Sequence, residues 1–525
     1  MLFRSSKAFS AATLLLIVGI SFHTSAQNIT KALNTITTEK IKAHIDYLAS
    51  DSMKGRNTPS PELELAAQYI QNEFKRYGIK PVNNSYFQHV PIYSLSLGKE
   101  NSATIFKNGE ERKLAFKTDI VPFEMSADTT VKAEVAFVGY GITAPEYGFD
   151  DYKGIDVKGR IVFVLSHEPL EDKESSVFNG KKATKYSDIS YKVENAIAHG
   201  AAGLILVTDP LTHLLILPRG YAWPTLTSST NENKVVYLKE TTVTRKIPVF
   251  HMGKDGAEFM MGSMDSLERL QSAIDKSLQP HSFLLKNTVI EMRSSVIETD
   301  LNCKNVVGFI KGTDKKIADE VVIIGAHYDH VGKERTHKPG EDYIYNGADD
   351  NASGTTAMLS VAEAFSEMKV KPLRSILFIA FTGEEQGLYG SKAYVKAPLC
   401  PLNKTVAMLN LDMVSRNSVD SLFLESAGRS PELTQVVKKA NEGINFTLLT
   451  GSNKFQGGSD HAPFYYQKIP FVFFFAGLHS DYHTVRDNPD LVNHTKIAKV
   501  ARLVFKTAWD VINSSQYYKV IPLEE

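Results

Sequence analysis

Five side chains beyond residue 300 are of the types that hold divalent metal ions. Each stands at or just after a short apolar run: His327 after VVIIGA, Asp350 in GADDNASG, Glu385 in FTGEE, Asp412 in LNLDM and His483 in SDYHTV. Two imidazoles and three carboxylates suit zinc, which accepts nitrogen and oxygen donors and in catalytic sites keeps one position open for water. Two ions about 3.5–4 Å apart need one carboxylate in common and two further ligands each, and five ligands match that count. Asp329 stands two residues after His327, so at a strand end both face one side, and its carboxylate is expected to accept the second imidazole N–H. Neighbouring side chains on extended backbone diverge. Glu385 is therefore expected to ligate while Glu384 faces the water and takes its proton as general base. Tyr482, beside His483, is a candidate donor to the oxyanion of a tetrahedral intermediate.

Taken singly, each of these has a plainer meaning. An H-x-D at a strand end is more often a buried histidine satisfied by its aspartate, and adjacent glutamates are more often a solvated loop. Their joint placement at successive strand ends is what favours chemistry. Asp349 is assigned to capping the helix that follows. His330, His337, His461, His479 and His494 are assigned to surface or packing roles, and Asp460-His461 in GGSDH is left without a role. His167-Glu168 begins like H-E-x-x-H, but the fifth residue is Glu171 and Pro169 disfavours the helix that motif needs. No G-x-S-x-G elbow and no P-loop ending G-K-[ST] occurs.

The elements that must bring those side chains together are a run of strands and helices in alternation, the pattern of a largely parallel sheet covered on both faces. Strands are expected at 321–326, 376–381, 406–411, 421–425 and 471–475, and helices at 355–368, 389–395, 431–442, 461–467 and 495–513. Ligands of such sheets sit in the crevice outside the carboxyl ends of the strands, where the candidates lie. Upstream, Ile41, Ile45 and Leu48 recur at helical spacing. A second helix has Ser60 as N-cap, Pro61 at its first position and Gly78 as its stop. Between 126 and 285 the texture changes to short β runs with one helix near 191–199, as in a small inserted β-rich module. The polar stretch 171–188 is expected to be a mobile surface loop.

Composition removes several classes. A chain of 525 residues suggests two to four domains at about 100–200 residues each. Lys+Arg and Asp+Glu balance at 59 each, so no basic surplus recommends a nucleic-acid partner. Two cysteines, Cys303 and Cys400, exclude a disulfide framework, and their pairing is left open. Arg4 and Lys7 precede the apolar stretch Ala11 to Ile20, and Thr24-Ser25-Ala26 supplies a small-residue cleavage site. Residues 1–26 thus read as a secretory signal, and no later stretch reaches the roughly 20 apolar residues of a membrane span. The mature chain is expected to be exported, periplasmic or extracellular, with no stable span after cleavage.

The ordered set GAHYDH, NGADDNASG, FTGEEQGLYGS, LNLDM and SDYHT resembles the dinuclear zinc exopeptidases of peptidase clan MH, among them bacterial leucyl aminopeptidases, aminopeptidase Y and glutamate carboxypeptidase. HIDYLASDSMKGRNTPS resembles the family's N-terminal segment, while VAFVGYGI, KGRIVFVLSHEP and AIAHGAAGLILVTDP resemble the protease-associated domain often inserted in it. The resemblance implies an α/β fold with a mixed, largely parallel sheet flanked by helices. It implies a discontinuous catalytic domain over 27–125 and 286–525, and a protease-associated-like insertion over 126–285. It implies two Zn2+ held by His327, Asp350, Glu385, Asp412 and His483, with Asp350 as the bridge and Glu384 as the catalytic base. The choice of Asp350 over Asp349 comes from aligning D-N-A-S-G with the family's bridging aspartate. Tyr482 matches only some members. The expected activity is an aminopeptidase that releases N-terminal residues from peptides with a free N-terminus through a metal-bridging hydroxide. A glutamate carboxypeptidase-like enzyme is the nearest rival. A non-catalytic receptor-like protein, whose mark would be lost ligands, is the alternative from another class. Glutaminyl cyclases resemble the family with a single zinc, which retention of both His327 and Asp412 argues against.

Overall fold

The computed structural model describes residues 28–213, 218, 235–239, 245–334 and 337–522; the signal segment expected at 1–26 lies outside the described residues. The chain forms two compact units. One is built from the chain up to Ile92 and from Leu301 onward, the other from Tyr93–Asp300.

In the first unit, eight strands form one sheet in the order Phe87–Val90, Cys303–Ile310, Ser375–Phe381, Val321–His327, Thr405–Leu411, Phe471–Phe475, Ser421–Glu425 and Thr447–Leu449. The four strands from Ser375–Phe381 to Phe471–Phe475 run parallel to their neighbours. Antiparallel pairings flank that block on either side, which makes the sheet mixed. The central strands are buried at every position and largely apolar because both faces are covered. Val322, Ile324 and Ala326 point into the core under helices Thr38–Leu48, Pro61–Arg76, Gly354–Ser366 and His494–Ile512. Val321 and Ile323 point the other way, toward Tyr394 and Phe464 of the helices Tyr389–Lys396 and His461–Tyr466. All five expected strands and all five expected helices of this unit are found within a few residues of their expected ends. Ser60 accepts a hydrogen bond from the Leu63 amide, and Pro61 follows it at the first helical position.

The second unit is larger than the 126–285 expected, and the reason lies in strand pairing. Ser102–Lys107 pairs antiparallel with Phe283–Ser294, and Ile120–Pro122 pairs with Val249–Met252. Residues 93–125 and 286–300 therefore belong to this unit and not to the first. Strands Ile161–Leu165 and Gly203–Val207 are parallel neighbours at its centre, with Leu165 opposite Val207. Helix Ile189–Ala198 covers one face, and helices Lys254–Met261 and Met264–Ser277 cover the other. The polar stretch 171–188 is anchored by Phe178 and Tyr186, both buried, instead of lying free on the surface. Neither Cys303 nor Cys400 takes part in a disulfide. No helix among the described residues is long and apolar enough to cross a membrane.

Candidate metal centre

Parallel strands deliver their carboxyl ends to one side of a sheet, and the candidate residues follow that rule. His327 is the last residue of Val321–His327, opposite Phe381, the last residue of the neighbouring strand. Glu384 and Glu385 follow Phe381 after a turn at Gly383, whose φ of +65° suits glycine. Asp412 follows Thr405–Leu411 directly. Asp350 enters from the segment before helix Gly354–Ser366, and His483 from a loop after Phe471–Phe475.

The side chains meet in two groups. His327 Nε2 lies 3.2 Å from Asp412 Oδ1 and 3.3 Å from Asp350 Oδ1. His483 Nε2 lies 3.1 Å from Asp350 Oδ2 and 3.1 Å from Glu385 Oε2. Asp350 thus turns one oxygen to each group, and Glu384 has a carboxylate oxygen in the group of His327 and Asp412. All five expected ligands converge. A sixth residue joins them: His330, assigned from sequence to packing, is fully buried with Nδ1 2.8 Å from Glu385 Oε1 and 3.7 Å from Asp350 Oδ2. Its position three residues after His327 in GAHYDH was its only mark, because the chain has left the strand there and no periodicity places it.

Two expectations about neighbouring aspartates need correction. The Asp329 carboxylate does not serve His327: His327 Nδ1 lies 3.2 Å from the Asp329 backbone oxygen and 3.8 Å from its Oδ1. A proton on Nδ1 donated to that carbonyl leaves the Nε2 lone pair aimed at Asp350 and Asp412. The Asp329 carboxylate instead accepts the Glu384 amide at 3.2 Å and the Thr58 hydroxyl at 3.0 Å, which fixes the loop that carries both glutamates. Asp349 caps no helix. Its Oδ1 accepts the amide and hydroxyl of Ser415 at 2.8 and 2.6 Å, and its Oδ2 lies 3.2 Å from His479 Nε2. Tyr482 stacks on the His483 ring with centroids 3.9 Å apart. Burial and the nearby carboxylates, Asp350 first, push its phenol pKa up and keep it a hydrogen-bond donor.

Other contributors were not singled out from sequence. The Arg56 guanidinium is buried and donates to the carbonyls of Tyr328 at 3.0 Å, Asn346 at 2.8 Å and Gly347 at 3.0 Å, and also to Leu48. It ties the end of helix Thr38–Leu48 to the loops that carry His330 and Asp350. Asp487 accepts the amides of Asp349 and Asp350 at 3.0 Å each. Ser459 donates to Asp412 Oδ2 at 2.8 Å. Gly347, with φ +59°, leaves no room for a Cβ, which would meet the Asp350 carbonyl and the His330 ring.

The electrostatics call for cations. Burial disfavours charge on His327, yet Asp412, Glu384 and Asp350 raise its pKa well above the ordinary imidazole value. His483 is likewise held up to about 10, against burial, by Asp350 and Glu385. Glu384 is pushed well above the carboxylate range by burial, opposed by His327 and reinforced by Asp412, Glu385 and Asp460. Asp460 itself is raised to about 7 by burial. Protons on imidazoles here offset carboxylate charge that divalent ions would neutralise directly, and the buried His330 Nε2 lacks a hydrogen-bond partner. The donor set fits two ions that share Asp350.

Residues 305–508 match the sequence model of Peptidase family M28. The chain is 30% identical over 234 residues to Aminopeptidase YwaD of Bacillus subtilis (strain 168), covering 42% of this chain and 48% of that one. It is 26% identical over 253 residues to a glutamate carboxypeptidase 2 homolog of Caenorhabditis briggsae, covering 40% and 31%. The chain spans half or less of the length of these curated relatives. Among solved structures, an aminopeptidase from Aneurinibacillus sp. strain AM-1 aligns over 94% of this chain and 98% of its own at 22% identity and a TM-score of 0.47. The segment 305–508, which matches the Peptidase family M28 model, supplies all the ligand candidates of this centre.

Proposed function

We propose that the protein is an exported zinc-dependent exopeptidase, and specifically an aminopeptidase. The observation that carries this reading is the sharing of Asp350 between two ligand groups, Oδ1 toward His327 and Oδ2 toward His483. On this reading His327, Asp412 and Asp350 hold one ion, while His483, Glu385 and Asp350 hold the other, with His330 bracing Glu385. When bound, two divalent ions polarise the scissile carbonyl and lower the pKa of water. Glu384 is the base. Its carboxylate takes the proton of the attacking water and returns it to the departing amine, and the Asp329–Glu384 amide hydrogen bond holds it in place. The Tyr482 hydroxyl, kept protonated, donates to the carbonyl oxygen as negative charge develops there.

The preference for a free N-terminus rests on charge. A carboxypeptidase needs a cation for the substrate carboxylate, and Arg416 and Arg486, which flank this region, are both engaged by Asp481 at 2.6 and 2.9 Å. The unit Tyr93–Asp300 is read as an inserted protease-associated-like domain, and cleavage after Ala26 is expected to leave Gln27 as the mature N-terminus. Hydrolysis of amino-acid anilides, N-blocked peptides and C-terminal glutamyl peptides, each with and without chelator, tests the assignment. Cleavage of free-amine substrates only, lost on chelation and restored by zinc, is expected. Release of C-terminal glutamate would replace it with the carboxypeptidase reading.

A further inference from the structure

The second unit carries a convergent set of side chains of metal-ligating type, far in sequence from the segment that matches the M28 model. Leu165 and Val207 end parallel neighbouring strands and stand opposite each other. Residues two places beyond them, His167 and Asp209, therefore emerge side by side, and each loop then supplies a second donor four residues later, Glu171 and His213. His167 Nδ1 lies 2.6 Å from Asp209 Oδ1 and 3.6 Å from Glu171 Oε2. His213 Nε2 lies 2.6 Å from Glu171 Oε1 and 3.8 Å from Asp209 Oδ2. One donor atom from each residue lies within 4.8 Å of the other three.

We infer that His167, Glu171, Asp209 and His213 form a binding site for a single divalent transition-metal ion of the zinc class, separate from the catalytic centre. Two imidazole nitrogens and two carboxylates are a complete tetrahedral donor set. Bonds of about 2.0–2.2 Å place tetrahedral ligand atoms about 3.3–3.6 Å apart. The two longer contacts already sit near that spacing, and the two at 2.6 Å need only open by less than about 1 Å.

The plainer account is a pair of histidine–carboxylate hydrogen bonds. Against it stand the two rings, which stack with centroids 4.3 Å apart and an interplanar angle of 24°. That stacking turns a nitrogen of each ring toward the same two carboxylates, so that both imidazoles approach both Asp209 and Glu171. The Asp209 side chain is 1% exposed and is oriented by the hydroxyls of Ser166 and Thr212, the kind of support a ligating carboxylate receives. The nearby buried cation, Lys192, does not fill the site: its ammonium donates to the carbonyls of Tyr140 and His167 at 2.5 and 2.6 Å, bracing the loop backbone. Glu168 is occupied by Thr184, and Asp275 by Tyr140. An ion here would pin together the loops that follow two central strands. Four ligands without a free position indicate a structural role.

The test is zinc content per folded chain, measured on full-length protein equilibrated with buffered zinc. His213→Gln and Glu171→Gln, each at a partly exposed position, should bind about one zinc fewer than the parent while hydrolysing amino-acid anilides within about twofold of it. A metal-depleted parent should gain several degrees of Tm from zinc at this site, a gain that His213→Gln lowers and that calcium does not reproduce. Equal zinc content in the parent and both variants would overturn the proposal. Displacement of the zinc by millimolar calcium would also overturn it, because calcium prefers an all-oxygen set.

Discussion

The two clusters sit at equivalent places in their sheets, beyond the carboxyl ends of parallel strands, yet they are built for different work. Around the centre in the first unit, His327, His330, Asp350 and Asp412 are buried, and four carboxylates outnumber three imidazoles. In the second unit two carboxylates face two imidazoles in matched pairs, three of the four side chains are partly exposed, and nothing is left over. The surplus in the first is Glu384, a carboxylate with a raised proton affinity and an amide fixed by Asp329. A centre with a spare base can turn over substrate, whereas a centre whose every donor is engaged can only hold an ion.

Glu384→Gln should break this contrast most completely. It should leave zinc content and fold unchanged while lowering kcat on amino-acid anilides by about two to four decades. Turnover near that of the parent would show that the surplus carboxylate is not the base. Asp329→Asn sharpens the same point at one remove. It keeps the size of the side chain but weakens the acceptor for the Glu384 amide, so kcat should fall by about 10–100-fold with KM and zinc content little changed. A matching loss of zinc would instead place Asp329 among the groups that hold the ions.

How far the sequence foretells this arrangement depends on what positions each residue. Strands such as VVIIGAH and SILFIAF are buried on both faces, so their apolar runs announce them, and His327, Glu385 and Asp412 at or just beyond strand ends follow. Residues 93–125 belong to the other unit because EERKL lies at a sheet edge with charged outward positions, and its partner Ser102–Lys107 pairs in turn with Phe283–Ser294, some 180 residues away. Arg56 and Asp329 act through backbone carbonyls and amides, which no side-chain motif encodes. His167-Glu168 fails as H-E-x-x-H because the fifth residue is Glu171 and Pro169 disfavours the helix, so the motif points to no site. The structure brings His167 and Glu171 together on a loop, which asks nothing of helical spacing.

Histidines outside both clusters supply the smallest test. His461 is buried between the rings of Phe471 and Phe473, with centroids 4.8 and 4.5 Å away, and burial pushes its pKa down to about 3. The unfolded chain takes up this proton near pH 6.5 and the folded chain resists until about 3. Stability from a neutral His461 is therefore full above pH 6.5 and is lost as the pH falls toward 3. Tm should decline by a few degrees on acidification through this window, and His461→Phe should make the decline shallower. An unchanged slope would assign acid sensitivity to other groups.

The most direct measurement of the central claim is the zinc content of purified Asp350→Ala beside that of the parent, together with anilide turnover. If Asp350 is shared by two ions, the variant should hold about two fewer zinc ions per chain and lose turnover, while the second unit keeps its own. A zinc count equal to the parent's would contradict the shared carboxylate and the centre built on it.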